Sequence, residues 1–267
     1  MGNTIVTSIL SMAGLGFFFA SLLAFVNQKL AVKEDPKIGK IEEALPGINC
    51  GACGYTSCHL YAEALAKGEA NPAECKAGGD SVSGLLSGIL GVAVEKRTKQ
   101  IALVHCGADG SVRKKKAVYF GINTCAAANN VSGGENLCGY SCFGYGDCMR
   151  VCPFGAIEMK DALPRIDKEK CTACGKCVLA CPRDIITVEK IAAKNFIFVT
   201  CNNPERGPDT RKACSVGCIA CGLCQKFTGG VFHVENNLAL VKYDNMARIS
   251  NTEEVRGKCP TKCIARL

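Results

Sequence analysis

The chain has 267 residues, a formal net charge of +8 and 21 cysteines. That cysteine share nears the level of a disulfide-built secreted domain, but the cysteines cluster at two- and three-residue gaps, too tight for most of them to pair with each other. Nor does the charge argue for nucleic acid: an oxidised cubane with four thiolates carries roughly two net negative charges, so four such clusters would offset the excess.

In chain order, residues 4–26 carry no charge and match the roughly 20 residues a membrane-crossing helix needs. The rival reading, a cleaved signal peptide, lacks both a preceding Lys or Arg and a small-x-small cleavage site. Lys29, Lys33, Lys37 and Lys40 follow the run, which places the remainder in the cytoplasm by the positive-inside rule. Reduced thiols need the same compartment. The expected organisation is an anchor at 1–28, a linker at 29–41, a four-cysteine domain at 42–80, a connecting segment at 81–134, a two-cluster domain at 135–195 and a degenerate module at 196–267. Within the connector, 81–95 reads as a packing helix too short to span a bilayer. Residues 101–106 (IALVHC) and 196–201 (FIFVTC) read as buried strands that each end in a cysteine. The fold class is α+β, with short strands and loop-rich cluster sites. Tryptophan is absent and aromatics are few, so the cores are modest and clusters would act as staples.

An internal repeat orders the cysteines: Cys152-Pro153, Cys181-Pro182 and Cys259-Pro260 each open a turn into a short strand. The most specific run is Cys171-x2-Cys174-x2-Cys177-x3-Cys181-Pro, where three thiolates wrap one cubane and the fourth serves the other cluster of a pair. Its partner run is Cys138-x3-Cys142-x5-Cys148-x3-Cys152-Pro. The crossed sets are therefore Cys138, Cys142, Cys148 and Cys181, and Cys171, Cys174, Cys177 and Cys152. Further along, Cys218, Cys221, Cys224 and the remote Cys259 supply one cluster. The four positions of a second are occupied by Thr228, Ile249, Thr252 and Val255. Near the amino terminus, Cys50, Cys53, Cys58 and Cys75 sit on a glycine-rich loop that lets backbone amides approach sulfur. Four [4Fe–4S] clusters are thus expected.

Five cysteines remain. Cys263 takes the slot of Ala156 and Ile185 in the repeat and reads as a core residue. Cys106, Cys125, Cys201 and Cys214 form two similar halves, either buried strand-end thiols or a fifth metal site. His59 and His105 read as neighbours of ligands or as exposed. The run 113–116 reads as a solvated loop, with a docking patch for an acidic partner as the alternative. No glycine-rich dinucleotide loop and no nucleophile–base pair stand out, so the chain should hold no substrate-converting site of its own. A zinc-stabilised interaction scaffold is the competing class.

The anchor, the LPGINCGACGYTSC segment with Cys75, and the CGYSCFGYGDCMRVCPFGAI and CTACGKCVLACP motifs resemble the B subunit of the Rnf complex, in the family's order and over nearly the whole chain. The resemblance implies a subunit of a membrane ferredoxin:NAD oxidoreductase coupled to sodium or proton transport. It would be anchored in the cell inner membrane, take electrons from soluble ferredoxin and pass them to the other subunits. A related role, reduction of a redox-sensing regulator, is the alternative within the same family. The C-terminal module, with one cluster's ligands missing, departs from the family's pattern.

Overall fold

The computed structural model describes residues 2–30, 35–93, 98–191, 196–249 and 251–267. Helix α1 (Gly2–Leu30) has no charged residue before Lys29. Over Ile5–Lys29 it is long and apolar enough to cross a membrane, and none of that span is buried against the rest of the chain. A helix apolar on every side and packed on nothing fits a single-pass membrane anchor. Lys33, one of the lysines that follow it, lies outside the described residues.

A small helical unit comes next. Helix α2 (Pro36–Ala44) starts at Asp35, whose carboxylate accepts the Lys37 N–H at 2.8 Å. Helix α3 (Cys58–Lys67) is capped by Ser57 and ends on Gly68 in the left-handed conformation. A tight turn at Pro72–Glu74 leads to α4 (Gly79–Leu90), the packing helix expected at 81–95; residues 94 and 95 lie outside the described set. Ile41, Tyr61, Leu65 and Leu86 form the core. The Tyr61 hydroxyl donates to the Asn71 carbonyl at 2.7 Å, so its polar end is satisfied.

The rest of the chain uses one plan twice. Strand β1 (Gln100–Val104) is followed by α5 (Cys125–Asn130), α6 (Asp147–Arg150), β2 (Ile157–Lys160), β3 (Leu163–Ile166), α7 (Lys176–Leu179) and β4 (Ile186–Lys190). Strands β1 and β4 pair antiparallel, with Leu103 opposite Thr187, and enclose the β2–β3 hairpin. The second copy runs β5 (Ile197–Val199), α8 (Gly207–Ala213), α9 (Leu223–Phe227), β6 (Phe232–Glu235), β7 (Leu238–Val241), α10 (Thr252–Lys258) and β8 (Ile264–Arg266). Here β5 pairs with β8 around the β6–β7 hairpin. The sheet thus joins the segment expected as a connector to the two-cluster unit, because β1 is the outer strand of that unit.

Both hairpins turn on two residues with positive φ, Asp161 and Ala162 in the first, Asn236 and Asn237 in the second. This is the turn whose twist matches paired strands. Ala162 is the residue least suited to it, and the neighbourhood holds it in place. Gly110 N–H donates to the Asp161 carbonyl at 2.7 Å, and the Arg113 guanidinium donates to the Ala162 carbonyl at 2.6 Å. The rest of the 113–116 run is also engaged internally. Lys114 reaches the Lys212 carbonyl at 2.7 Å, Lys115 pairs with Glu135 at 3.0 Å and Lys116 reaches the Ser132 carbonyl at 3.0 Å. Structural ties, rather than a free docking patch, account for this run.

The two copies meet at the ends of β1 and β5. His105 Nδ1 lies 2.8 Å from the Val199 carbonyl, and its Nε2 lies 2.9 Å from the Thr187 hydroxyl. Two residues on, Gly107 N–H donates to the Thr200 carbonyl at 2.9 Å. A Cβ on Gly107 would stand 2.7 Å from Thr200 Oγ1, so only glycine permits this approach.

Candidate metal centres

Cys50, Cys53 and Cys58 leave a loop in which Asn49, Gly51 and Gly54 all have positive φ. The Asn49 side chain accepts the Cys58 N–H at 2.7 Å and pins the loop to the start of α3. With Cys75 these three line one cavity. Burial pushes the Cys75 thiol up.

A second cavity is lined by Cys152, Cys171, Cys174 and Cys177. Backbone amides point at its sulfurs: Ala156 N–H lies 3.4 Å from Cys152 Sγ, and Ala102 N–H, on β1, lies 3.5 Å from Cys171 Sγ. Burial, with Cys171 and Cys174 close by, pushes the Cys177 thiol up to about 12. Buried thiols raised in this way lose their protons once cationic iron is bound, so filling such a site releases protons.

The third cavity is lined by Cys218, Cys221, Cys224, Cys259 and Cys263. Cys263, expected as a core residue, is indeed buried among Val231, Phe232 and Ile264, but its sulfur also faces the cavity, 3.6 Å from Cys259 Sγ. Close sulfur contacts among these three push the Cys263 thiol up and pull Cys218 and Cys259 down.

The fourth cavity is lined by Cys106, Cys138, Cys201 and Cys214. The last four cysteines fall together on a different criterion. Cys142 and Cys148 are pushed up to about 12 and about 11 by burial; Cys125 is an electrostatic neighbour of both, and of Cys181.

Two cysteines group differently from the sequence reading. Cys138, expected beside Cys142, Cys148 and Cys181, lines the cavity of Cys106, Cys201 and Cys214. Cys125, expected in that extra group, is instead the electrostatic neighbour of Cys142, Cys148 and Cys181. The backbone explains both moves. The chain turns after Cys138, with Ser141 N–H on its carbonyl at 3.3 Å. Arg113 and Asn136 then hold the Cys142 carbonyl at 2.6 and 2.9 Å. Meanwhile Ala126 N–H donates to Asp147 at 3.1 Å and docks the start of α5 against the helix that bears Cys148. The repeated Val-x-Cys at the ends of β1 and β5 was the available clue to the Cys106 and Cys201 pairing; nothing local marked Cys138.

The histidines have other roles. Both ring nitrogens of His105 are engaged, as above, and His59 lies 3.0 Å from Glu42 and 3.4 Å from Glu63. Among the described residues, no three Cys, His, Asp or Glu side chains close in tightly enough to hold a single ion. Four-thiolate linings drawn partly from short cysteine-rich loops are the donor set a [4Fe–4S] cluster takes.

Known proteins match the same segments. An Fe-S cluster family model covers residues 45–77, and a 4Fe-4S dicluster domain covers 139–183. The B subunit of the Na(+)-translocating ferredoxin:NAD(+) oxidoreductase complex of Acetobacterium woodii is 38% identical over 99% of this chain and 79% of its own length. The proton-translocating counterpart of Clostridium ljungdahlii is 38% identical over 98% of this chain and 92% of its own. The B subunit of the ion-translocating oxidoreductase complex of Methanosarcina acetivorans is 31% identical over 99% of both. The chain belongs to the B-subunit family of Rnf-type complexes. As a family member with 4Fe-4S domains, it is an iron–sulfur electron-transfer subunit of a membrane-associated oxidoreductase complex. The dicluster match begins one residue after Cys138 and holds seven cysteines, so a pair of four-ligand clusters there must draw its eighth ligand from outside the match.

Proposed function

We propose that this subunit accepts electrons from reduced ferredoxin on the cytoplasmic face. It relays them through [4Fe–4S] clusters to membrane partners, and the complex couples the transfer to NAD reduction and ion transport. The observation that carries the reading is the recurrence of cavities lined by four or more cysteines along a chain tied to an apolar helix. The printed names of the Acetobacterium and Clostridium relatives supply ferredoxin, NAD and the translocated ion.

The clusters, when bound, supply one-electron outer-sphere transfer. The protein's own part is to hold, bury and hydrogen-bond the sulfurs, which sets potential. Cys50, Cys53, Cys58 and Cys75 would hold one cluster, Cys152, Cys171, Cys174 and Cys177 a second, and Cys218, Cys221, Cys224 and Cys259 a third. Cys142, Cys148 and Cys181 would hold a fourth with Cys125. This chain would hold no substrate-converting site of its own, and nicotinamide would be reduced elsewhere in the complex. The lysines after α1 support a cytoplasmic location for these units.

The test is ferredoxin-dependent NAD reduction by membranes with and without this chain, alongside iron, sulfide and zinc analysis of the anaerobic protein. Loss of activity that the chain restores is the expected result. Unchanged activity in its absence, or stoichiometric zinc without iron, would overturn the reading.

A further inference from the structure

We propose that Cys106, Cys138, Cys201 and Cys214 hold a further [4Fe–4S] cluster, at the seam between the two repeated units, and that it links the clusters of one to the cluster of the other. The linking role rests on the electron-transfer reading; the site itself rests on geometry.

The first observation is the cavity. Like the three walled by the other cysteine sets, it gathers cysteines from separate segments, four in this case. Two ligands come from each unit. Cys106 and Cys201 stand at equivalent places, just past β1 and β5, and the Gly107 to Thr200 hydrogen bond brings those strand ends together. Cys138 follows the internally tied 113–116 loop, and Cys214 closes α8.

The second observation is that donors are aimed at all four sulfurs. Cys142 N–H lies 3.4 Å from Cys106 Sγ. The Asn203 side-chain amide, in a residue only 1% exposed, lies 3.7 Å from Cys138 Sγ. Backbone N–H groups of Asn203 and Cys218 face Cys201, and those of Val216 and Gly217 face Cys214. Structural thiols in a core need no such donors, whereas thiolates bound to iron do.

The third observation is position. The amide of Cys142, a residue of the neighbouring set, touches Cys106, while Cys201 has Cys218 of the C-terminal site beside it. On the far side, Cys148 neighbours Cys177, and Cys53 and Cys171 line one cleft between the helical unit and the first repeat. The sites therefore form a series, and the seam site is the link between the two repeats. With Cys125 completing the neighbouring set, five sets of four take up every cysteine except Cys263.

The test is metal stoichiometry on the full chain, prepared anaerobically in detergent. Five clusters give about 20 irons per chain, and four give about 16. Wild-type protein needs no variant for this count: about 20 irons with matching sulfide is the expected result, and about 16, or one zinc with about 16 irons, overturns the proposal. Paired substitutions then test membership. C138A/C214A should lose about four irons, because both residues serve one cluster, and C138A/C181A about eight. The reverse pattern, with C138A/C181A losing four, would return Cys138 to the dicluster set and sink the seam site. None of these counts depends on the electron donor, so the site and the ferredoxin reading can fail separately.

Discussion

The two repeats share an outer strand pair, an inner hairpin and a closing Cys-Pro turn, yet differ in what fills the space between them. In the first repeat, that space is walled by Cys152, Cys171, Cys174 and Cys177. In the second, the positions matching these by ferredoxin spacing are Thr228, Ile249, Thr252 and Val255. Thr228, Thr252 and Val255 are buried, and Ile249 packs against the same core. Thr228 ties the backbone together instead: its hydroxyl donates to the Cys224 carbonyl at 2.8 Å and accepts the Phe232 N–H at 3.0 Å. The ligand-bearing loop has become α10, capped by Asn251. A cluster site can thus be replaced by side-chain packing without loss of the surrounding strands, provided all four ligands change together and the volume is refilled.

The largest effect that would break this comparison is loss of the one cluster proposed within the second repeat. Cys259→Ala should remove about four irons and leave the first repeat's EPR signals in place, while Cys263→Ala should remove none. Equal iron in the two variants would mean that the ligand assignment is wrong. Next comes the packing that stands in for the missing cluster. Phe232 is fully buried, so Phe232→Ala should destabilise the second repeat by about 3–5 kcal/mol. Hydrogen exchange should then speed up in β6 and β7 and stay slow in β1 and β4; uniform acceleration would show that the repeats do not unfold separately.

The seam gives a smaller effect. His105→Ala leaves the Val199 carbonyl and the Thr187 hydroxyl without their partner and should cost about 1–3 kcal/mol by denaturant midpoint. Burial holds the His105 pKa below its ordinary value, so the unfolded chain takes up the proton first. Its contribution is therefore complete above the unfolded value of about 6.5 and is lost as pH falls through it toward the folded pKa. His105→Gln should flatten that slope, and a parallel slope would assign the acid sensitivity elsewhere. The smallest effect sits at Thr228. Thr228→Val should cost about 1–2 kcal/mol, and Thr228→Cys should bind no extra iron, because Ile249, Thr252 and Val255 still occupy the site. An iron gain in Thr228→Cys would show that the second cavity had never closed.

Short-range spacing made most of this protein legible. The apolar run became α1, the Cys-Pro turns lead into β2, β4 and β8, and the cysteines at two-residue gaps line common cavities. A few residues of loop leave the chain little freedom, so sequence distance there is nearly spatial distance. Two features stayed hidden. The basic run at 113–116 is largely exposed, as a solvated loop should be, but its ties to carbonyls and Glu135 had no local signature, and β1 looked like part of a connector until its pairing with β4 was seen.

The amino-acid sequence by itself determined that sulfur ligands come in sets, that one set is missing whole, and that the chain begins with an apolar helix. Only the tertiary structure decided which cysteines from distant segments come close. Cys138 stands four residues from Cys142 yet lines one cavity with Cys106, Cys201 and Cys214, while Cys125 neighbours Cys148. The physical reason is that strand pairing and the β1–β5 seam place these thiols, and those contacts join residues far apart in sequence that no local spacing rule connects.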